Sequence, residues 1–115
     1  MNQPPSVIAD FFRLKNEHND AALLKLFADD AVVVDSGEGK KMHGADEIKK
    51  WIAKSISGLN LQTEIRESLE RESEWVIDTV MTGNFKASPA RFQYFITLKE
   101  GKISALRTEF LGSLK

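Results

Sequence analysis

The stretch LFADDAVVVD, residues 26–35, decides the fold, because it joins the end of a helical pattern to a run of β-branched side chains. The apolar run 31–34 has the composition of a buried strand, and the turn-forming residues 36–39 close it. We expect a strand over 31–34 that leads into Asp35. The Asp35 carboxylate would either face a cavity, where poor solvation would make it a usable proton acceptor, or cap the turn at Ser36 and Gly37.

Two helices are predicted before this strand. Pro4 and Pro5 suit the start of a helix, and apolar side chains then recur at helical spacing, so residues 5–17 are predicted to form a first amphipathic helix. Asp20 suits the N-cap of a second, shorter helix, which we expect to end near Asp29.

One more helix and four long strands are predicted after it. Residues 45–57 carry one apolar face at helical spacing and are followed by Gly58. Alternating side chains predict strands over 59–69, 75–81, 92–96 and 103–111, the last two joined by a hairpin turn at 99–102. The order helix, helix, strand, helix and four strands predicts an α+β domain, with a curved antiparallel sheet wrapped around three helices as a cone.

The faces of the predicted strands differ in polarity. In residues 59–69 the alternation places Leu61 and Leu69 on one face and Ser68 on the opposite, wet face. In the later strands both faces are partly apolar, as where Phe95 lies between Tyr94 and Ile96. A small domain has one interior, so we expect helices to cover one face and a second copy of the chain to cover part of the other. The alternative to this homodimer is a tightly curved sheet that closes on itself.

Three charged residues, Asp78, Arg107 and Glu109, interrupt otherwise apolar strands. We expect them to form ion pairs on an exposed face, the alternative being polar groups inside a cavity.

The composition indicates a single domain over residues 1–115 and excludes several kinds of partner. Sixteen Lys and Arg balance seventeen Asp and Glu, so a net charge of −1 gives no electrostatic reason to expect nucleic acid or an anionic membrane. The absence of cysteine excludes disulfides and cysteine nucleophiles and agrees with a reducing cytosol. No stretch is apolar enough for a membrane span or a signal peptide, and we therefore expect a cytoplasmic protein.

Cofactor and metal motifs are also missing. The sequence has no glycine-rich phosphate loop, serine-nucleophile elbow or dinucleotide fingerprint, so no cofactor is predicted. His18 and His43 lie in predicted loops without neighbouring ligands, so no metal site is predicted.

The order of elements, together with residues 26–35, GADEIKKW at 44–51 and FITLKEGKI at 95–103, resembles the nuclear transport factor 2-like superfamily. Within it the chain is most similar to the SnoaL-like (polyketide-cyclase-like) and ketosteroid-isomerase-like branches. The resemblance implies a cone-shaped sheet with a deep pocket for a small apolar or aromatic molecule. Because the same fold hosts isomerases, cyclases, dehydratases and non-catalytic binding subunits, it determines architecture better than activity.

Comparison with ketosteroid isomerase implies roles for particular positions. That enzyme uses an Asp base opposite an oxyanion hole of a Tyr and a protonated Asp. Counting from the shared FADDA segment at 27–31 places Asp35 at the base and Phe11, which has no hydroxyl, at the oxyanion-hole tyrosine. Counting back from the hairpin places Gln93 near the second donor, and Tyr94 lies beside it.

The same comparison implies a pocket lined by large apolar side chains, namely Phe11, Trp51, Phe95, Leu106 and Phe110. The alternative is that these side chains are ordinary core.

Two functions remain open from the sequence. In one, a cofactor-free isomerase, cyclase or dehydratase uses Asp35 as base and Tyr94 or Gln93 as oxyanion donor. In the other, a non-catalytic dimeric module of the same fold binds a ligand or a protein, which the missing tyrosine at Phe11 favours.

Overall fold

A computed structural model describes residues 3–115. In this part of the chain the elements are α1 (Ser6–Glu17), α2 (Asp20–Leu24), β1 (Phe27–Asp35), β2 (Lys40–His43), α3 (Ala45–Trp51), β3 (Gln62–Arg71), β4 (Glu74–Thr82), β5 (Ala90–Lys99) and β6 (Lys102–Ser113). Helix α3 continues directly into one π-helical stretch, Ile52–Ser57, here called the π segment.

The six strands form one sheet in the order β2-β1-β6-β5-β4-β3. Every neighbouring pair is antiparallel except β1 and β6, which run parallel. The structure confirms the predicted α+β fold with a curved sheet around three helices. The hairpin at 99–102 is also present, and Glu100 and Gly101 both adopt positive φ angles there, of 53° and 78°.

The helices cover one face of this sheet, which we call the inner face. In β5 the alternate residues Phe92, Tyr94 and Ile96 are buried, whereas the residues between them are only half-buried. The buried side chains join Ile8 and Phe11 of α1 in one hydrophobic core. The opposite face of the sheet is the outer face.

The second helix is shorter than predicted. It ends at Leu24, and residues 27–30 already belong to β1, which the sequence pattern assigned to a helix. The main-chain amide of Ile103 donates to the carbonyl oxygen of Leu26 at 2.9 Å, and Phe27 pairs with Ile103 in β6. Pairing with a strand far along the chain therefore overrides the local helical pattern.

Strand β2 is absent from the predicted order, which read ααβαββββ instead of the observed ααββαββββ. Its sequence KKMH has one buried residue, Met42, and too few apolar positions to show alternation. The strand exists because it pairs with β1, with Lys40 opposite Asp35.

Strand β3 contains a bulge that reverses the predicted faces of its last residues. The register with β4 shifts between Ile65 and Glu67. As a result Ser68 is 4% exposed and Leu69 is 47% exposed, the opposite of the predicted alternation. An extra residue in a strand exchanges the faces of every side chain that follows.

Candidate functional site

A cavity of about 90 Å³ lies between the inner face of the sheet, α1 and the end of α3. Its wall is mostly apolar and includes Ile56, Leu59, Leu61, Met81, Phe85 and Phe92. Polar side chains also line it, namely Lys15, Asp35, Glu38, Ser55, Tyr94 and Thr108. A few convergent polar groups in an apolar cavity are typical of small-molecule sites.

Three of these polar residues form a row across the sheet. Asp35 pairs with Thr108 between β1 and β6, and Thr108 pairs with Tyr94 between β6 and β5. Neighbouring strands lie about 4.8 Å apart, so the Cα atoms of Asp35 and Tyr94 are separated by roughly 10 Å. The Thr108 hydroxyl lies between them, buried, and finds no hydrogen-bond partner among residues 3–115.

The two carboxylate oxygens of Asp35 have different partners. Oδ2 accepts a hydrogen bond from the indole Nε1 of Trp51 at 2.8 Å, and Oδ1 accepts one from the main-chain amide of Glu38 at 3.3 Å. The carboxylate thus caps the turn after β1 and also lines the cavity. Trp51 lies where α3 becomes the π segment, a geometry that often occurs at functional sites.

Tyr94 is held at the inner end of this row. It is 1% exposed, and the rings of Phe11 and Phe12 pack edge-on against it, with centroids 6.0 Å and 5.0 Å away. Burial and the negative charge of Asp35 raise the pKa of the Tyr94 hydroxyl above its ordinary value, although a hydrogen bond with Thr63 opposes this. The hydroxyl therefore stays protonated at neutral pH and can donate to a ligand.

Lys15 is the functional candidate that the sequence reasoning missed. Its side chain is completely buried, and Nζ donates to Oγ1 of Thr63. Burial lowers the pKa of the Lys15 amine to about 7, and the attraction of Asp35 offsets only part of that effect. The available signal was its spacing, since Lys15 follows Ile8 and Phe11 on the apolar stripe of α1.

The other predicted pocket residues divide into two groups. Trp51 lines the cavity. Phe11 and Leu106 are fully buried in the core beside it but do not form its wall. Phe11 occupies the position that the comparison assigned to the isomerase tyrosine. Its ring contacts those of Phe12, Phe27 and Tyr94 and so holds the Tyr94 phenol in place.

Gln93, Phe95 and Phe110 do not reach the cavity, which corrects their predicted roles. Gln93 and Phe95 lie on the outer face because strand residues alternate and Tyr94 between them points inward. Gln93 Nε2 donates to Oδ1 of Asp78 at 2.8 Å and is therefore not an oxyanion donor in this geometry. Phe110 is 46% exposed and packs edge-on against the far side of the cavity-lining Phe92, with ring centroids 5.4 Å apart.

The mouth of the cavity is formed by the turn after β1. Gly37 lies so close to the site that an added Cβ would be 3.3 Å from Oδ1 of Asp35 and 3.3 Å from the Phe92 ring. Glu38 also lines the cavity and pairs with Lys40 at 3.3 Å. A side chain at position 37 would therefore crowd the Asp35 carboxylate.

Among residues 3–115, no three or more His, Asp or Glu side chains are grouped so that they could hold a metal ion. None of the helices in this part of the chain has the length and apolar character needed to cross a membrane.

The sequence profile of the SnoaL-like domain family matches residues 8–106, which is most of the chain. The chain belongs to the SnoaL-like domain family. This membership confirms the resemblance inferred from the sequence. A search of curated proteins finds no match.

Solved structures share the fold of this SnoaL-like domain. A protein from Sinorhizobium meliloti, described as a proposed polyketide cyclase, is 26% identical with a TM-score of 0.86, over 92% of this chain and 95% of that one. A protein with a ketosteroid isomerase-like fold from Catenulispora acidiphila, in complex with trimethylamine, is 22% identical with a TM-score of 0.82, over 97% and 88%. An NTF2-like protein of unknown function from Cytophaga hutchinsonii is 14% identical with a TM-score of 0.78, over 96% and 94%.

Proposed function

We propose that this SnoaL-like protein is a cytoplasmic enzyme that binds a small molecule in the cavity and moves a proton on it without a cofactor. Asp35 is the base, and Tyr94 donates a hydrogen bond to the oxygen on which negative charge develops. The observation that carries this proposal is the row Asp35, Thr108 and Tyr94, which presents an acceptor, an unpartnered hydroxyl and a protonated phenol to one apolar cavity.

The row suggests how a substrate lies in the cavity. A carbonyl oxygen placed beside the Tyr94 hydroxyl would put the neighbouring carbon toward Asp35. Asp35 takes a proton from that carbon, and the electron pair moves onto the carbonyl oxygen, where Tyr94 stabilises the negative charge. Returning the same proton to another carbon completes an isomerisation. The Trp51 N–H keeps the Asp35 carboxylate in place throughout.

The size of the cavity narrows the ligand class. An engineered apolar cavity of about 150 Å³ binds benzene, and pockets for drug-sized ligands are about 300–1,000 Å³. A cavity of about 90 Å³ therefore favours a smaller molecule than the aromatic or steroid-like ligand expected from the resemblance, or the end of a longer one. The trimethylamine bound to the Catenulispora relative is a molecule of this smaller class and supports the proposal.

Exchange of α-hydrogens for deuterium tests the proposal without knowledge of the product. Small ketones and keto acids would be incubated with the protein in D₂O and followed by NMR. We expect exchange with the natural sequence and a loss of at least about 100-fold in Asp35→Asn. Asp78→Asn is the matched control, because Asp78 is a half-buried carboxylate on the outer face. Equal exchange in Asp35→Asn and the unaltered protein would refute the assignment of the base.

The second candidate is a non-catalytic module that only binds its ligand, and the packing of Phe11 favours it. The position that would supply a hydroxyl in the isomerase holds a fully buried ring here, which leaves Tyr94 as the only phenol at the site. Binding of a small ketone by calorimetry, together with no exchange above the background rate, would support this candidate instead.

We further propose a homodimer through the outer face. Leu69 and Leu111 are 47% and 43% exposed, and half-buried Phe95 lies on that face. Light scattering would show twice the monomer mass, and a Leu69→Lys variant would reduce it to the monomer mass.

A further inference from the structure

One reactive group of the cavity has no part in the proposed proton transfer. The primary amine of Lys15 lines the cavity from α1 and is completely buried. Its Nζ lies 6.0 Å from the centroid of the Tyr94 ring and donates to the Thr63 hydroxyl. No carboxylate forms an ion pair with it among residues 3–115. A buried lysine without a salt bridge is rare and calls for a chemical reason.

We propose that Lys15 captures a small aldehyde or ketone as an imine, so that the cavity is a covalent binding site for carbonyl compounds. This inference deepens the proposed function and rests on it, because the ligand enters the same cavity and meets the same Asp35. It names the substrate class as a carbonyl compound short enough to fit beside Lys15.

The surroundings of Lys15 suit a nucleophilic amine. The titratable groups that face the cavity are Lys15, Asp35, Glu38 and Tyr94. With the pKa of Lys15 lowered to about 7, about half of this amine is neutral at pH 7, against fewer than about one in a thousand for an ordinary lysine. Desolvation of a lysine in an apolar pocket is an established way to make it a nucleophile.

The neighbours of Lys15 can complete the reaction. The nitrogen lone pair attacks the carbonyl carbon, a C–N bond forms, and the carbonyl oxygen takes one of the two amine protons to give a carbinolamine. The C–O bond then breaks, and the hydroxyl leaves as water with a proton from Tyr94. The nitrogen gives up one proton, which restores Tyr94. One carbonyl compound and one amine thus yield one imine and one water, with no oxidant or reductant.

An imine would also make the proposed proton transfer easier. Protonated on nitrogen, it draws electrons from the neighbouring carbon more strongly than the free carbonyl does. Asp35 would remove the proton from that carbon, and the electron pair would move toward the Lys15 nitrogen. Tyr94 and Thr108 would then hold the departing water or a polar group of the ligand.

Reductive trapping tests the inference on the unaltered protein. Pyruvate and acetaldehyde would be added at pH 7 with sodium cyanoborohydride, which reduces an imine to a stable amine, and the modified lysines would be mapped by peptide mass spectrometry. We expect Lys15 to be modified at least ten times faster than the exposed Lys54 of the π segment. Modification spread evenly over the surface lysines, with Lys15 unchanged, would overturn the inference.

Variants make the test specific. Lys15→Met should lose the fast modification, whereas the matched control Lys54→Met should keep it. Thr63→Val removes the hydroxyl that holds Nζ and should slow trapping several-fold without abolishing it. Because the peptide map of the unaltered chain carries the main test, the result does not depend on whether Lys15→Met folds.

The failure of this inference can be told apart from failure of the proposed function. If Asp35→Asn loses exchange and Lys15 of the unaltered protein is not trapped, the base stands and the imine is refuted. If Lys15 is trapped and exchange is equal in Asp35→Asn, the imine stands and the base is refuted. Absence of both trapping and exchange refutes both.

Discussion

The two faces of the sheet differ in whether their polar side chains have hydrogen-bond or ion-pair partners. On the outer face these groups pair with one another, as where Gln93 donates to Asp78 and Arg107 donates to Glu109 at 2.7 Å. On the inner face, the Thr108 hydroxyl has no partner among the described residues. Lys15, which reaches the same cavity from α1, has a hydrogen bond to Thr63 but no ion pair among them. Polar groups that satisfy one another have a structural role, whereas buried groups that lack partners are available to a ligand.

The largest expected effect distinguishes a buried ring of the core from an exposed ring at its edge. Phe11→Ala removes a fully buried ring and should lower the free energy of unfolding by about 3–5 kcal/mol. Phe110→Ala removes a ring that is 46% exposed and should cost about 1 kcal/mol or less. Urea denaturation measures both. Similar losses would mean that Phe110 is buried in solution, as a dimer through that region would require.

The next difference concerns the buried amine. The pKa of Lys15 is about 7 in the folded protein and 10.5 ordinarily, so between these pH values the unfolded chain binds more protons and stability rises with pH. The free-energy cost of burying the charged Lys15 amine is therefore complete below about pH 7 and absent above about pH 10.5. Lys15→Met should therefore stabilise the protein by on the order of 2–5 kcal/mol at pH 6, with the gain fading toward pH 10.

Urea denaturation of Lys15→Met and of the control Lys54→Met at several pH values checks this. Asp35, Glu38 and Tyr94 also face the cavity, and all three are present in every variant. A gain that does not change with pH would contradict the lowered pKa of Lys15.

A smaller effect separates partnered from unpartnered hydroxyls. Thr79 is buried and its hydroxyl donates to the carbonyl oxygen of Phe92 at 2.9 Å, so Thr79→Val should cost about 1–2 kcal/mol. Thr108→Val removes a hydroxyl without a partner and should be neutral or stabilise by about 1 kcal/mol. Thermal unfolding measures both. A substantial loss in Thr108→Val would show that this hydroxyl has a partner, such as a bound water.

The smallest effect is expected on the outer face. Arg107 and Glu109 are 41% and 47% exposed in their side chains, so their ion pair is weakened by solvent. A double-mutant cycle with Arg107→Ala and Glu109→Ala should give a coupling of about 0.5 kcal/mol or less, and less still in high salt. A coupling above about 1 kcal/mol would indicate that a partner covers this face.

Much of the fold could be read from local pattern. Helix α1 was predicted to within a residue of its start, and the turn at 99–102 was identified because its residues suit a hairpin. The location of Asp35 at the end of β1 was also readable from the apolar run before it. These features depend on residues that are near one another in the chain, and their periodicity is visible without a partner.

Other features depended on strand pairing. Strand β2 exists because it pairs with β1, and the first half of β1 because it pairs with β6, far along the chain. The bulge near Ile65 reversed the faces of Ser68 and Leu69. Local alternation carries no information about an inserted residue or about the register of a distant strand.

By itself, the sequence determined the order of all the elements except β2, the α+β class and a carboxylate at the end of β1, because these follow from short-range periodicity and turn chemistry. Only the tertiary structure decided that Tyr94 rather than Gln93 faces the cavity, that Lys15 is buried and that Thr108 has no partner. Alternation shows that neighbours in a strand point in opposite directions, but which direction is inward depends on where the helices pack. Burial of a charge depends on every element that surrounds it, and that arrangement exists only in the folded chain.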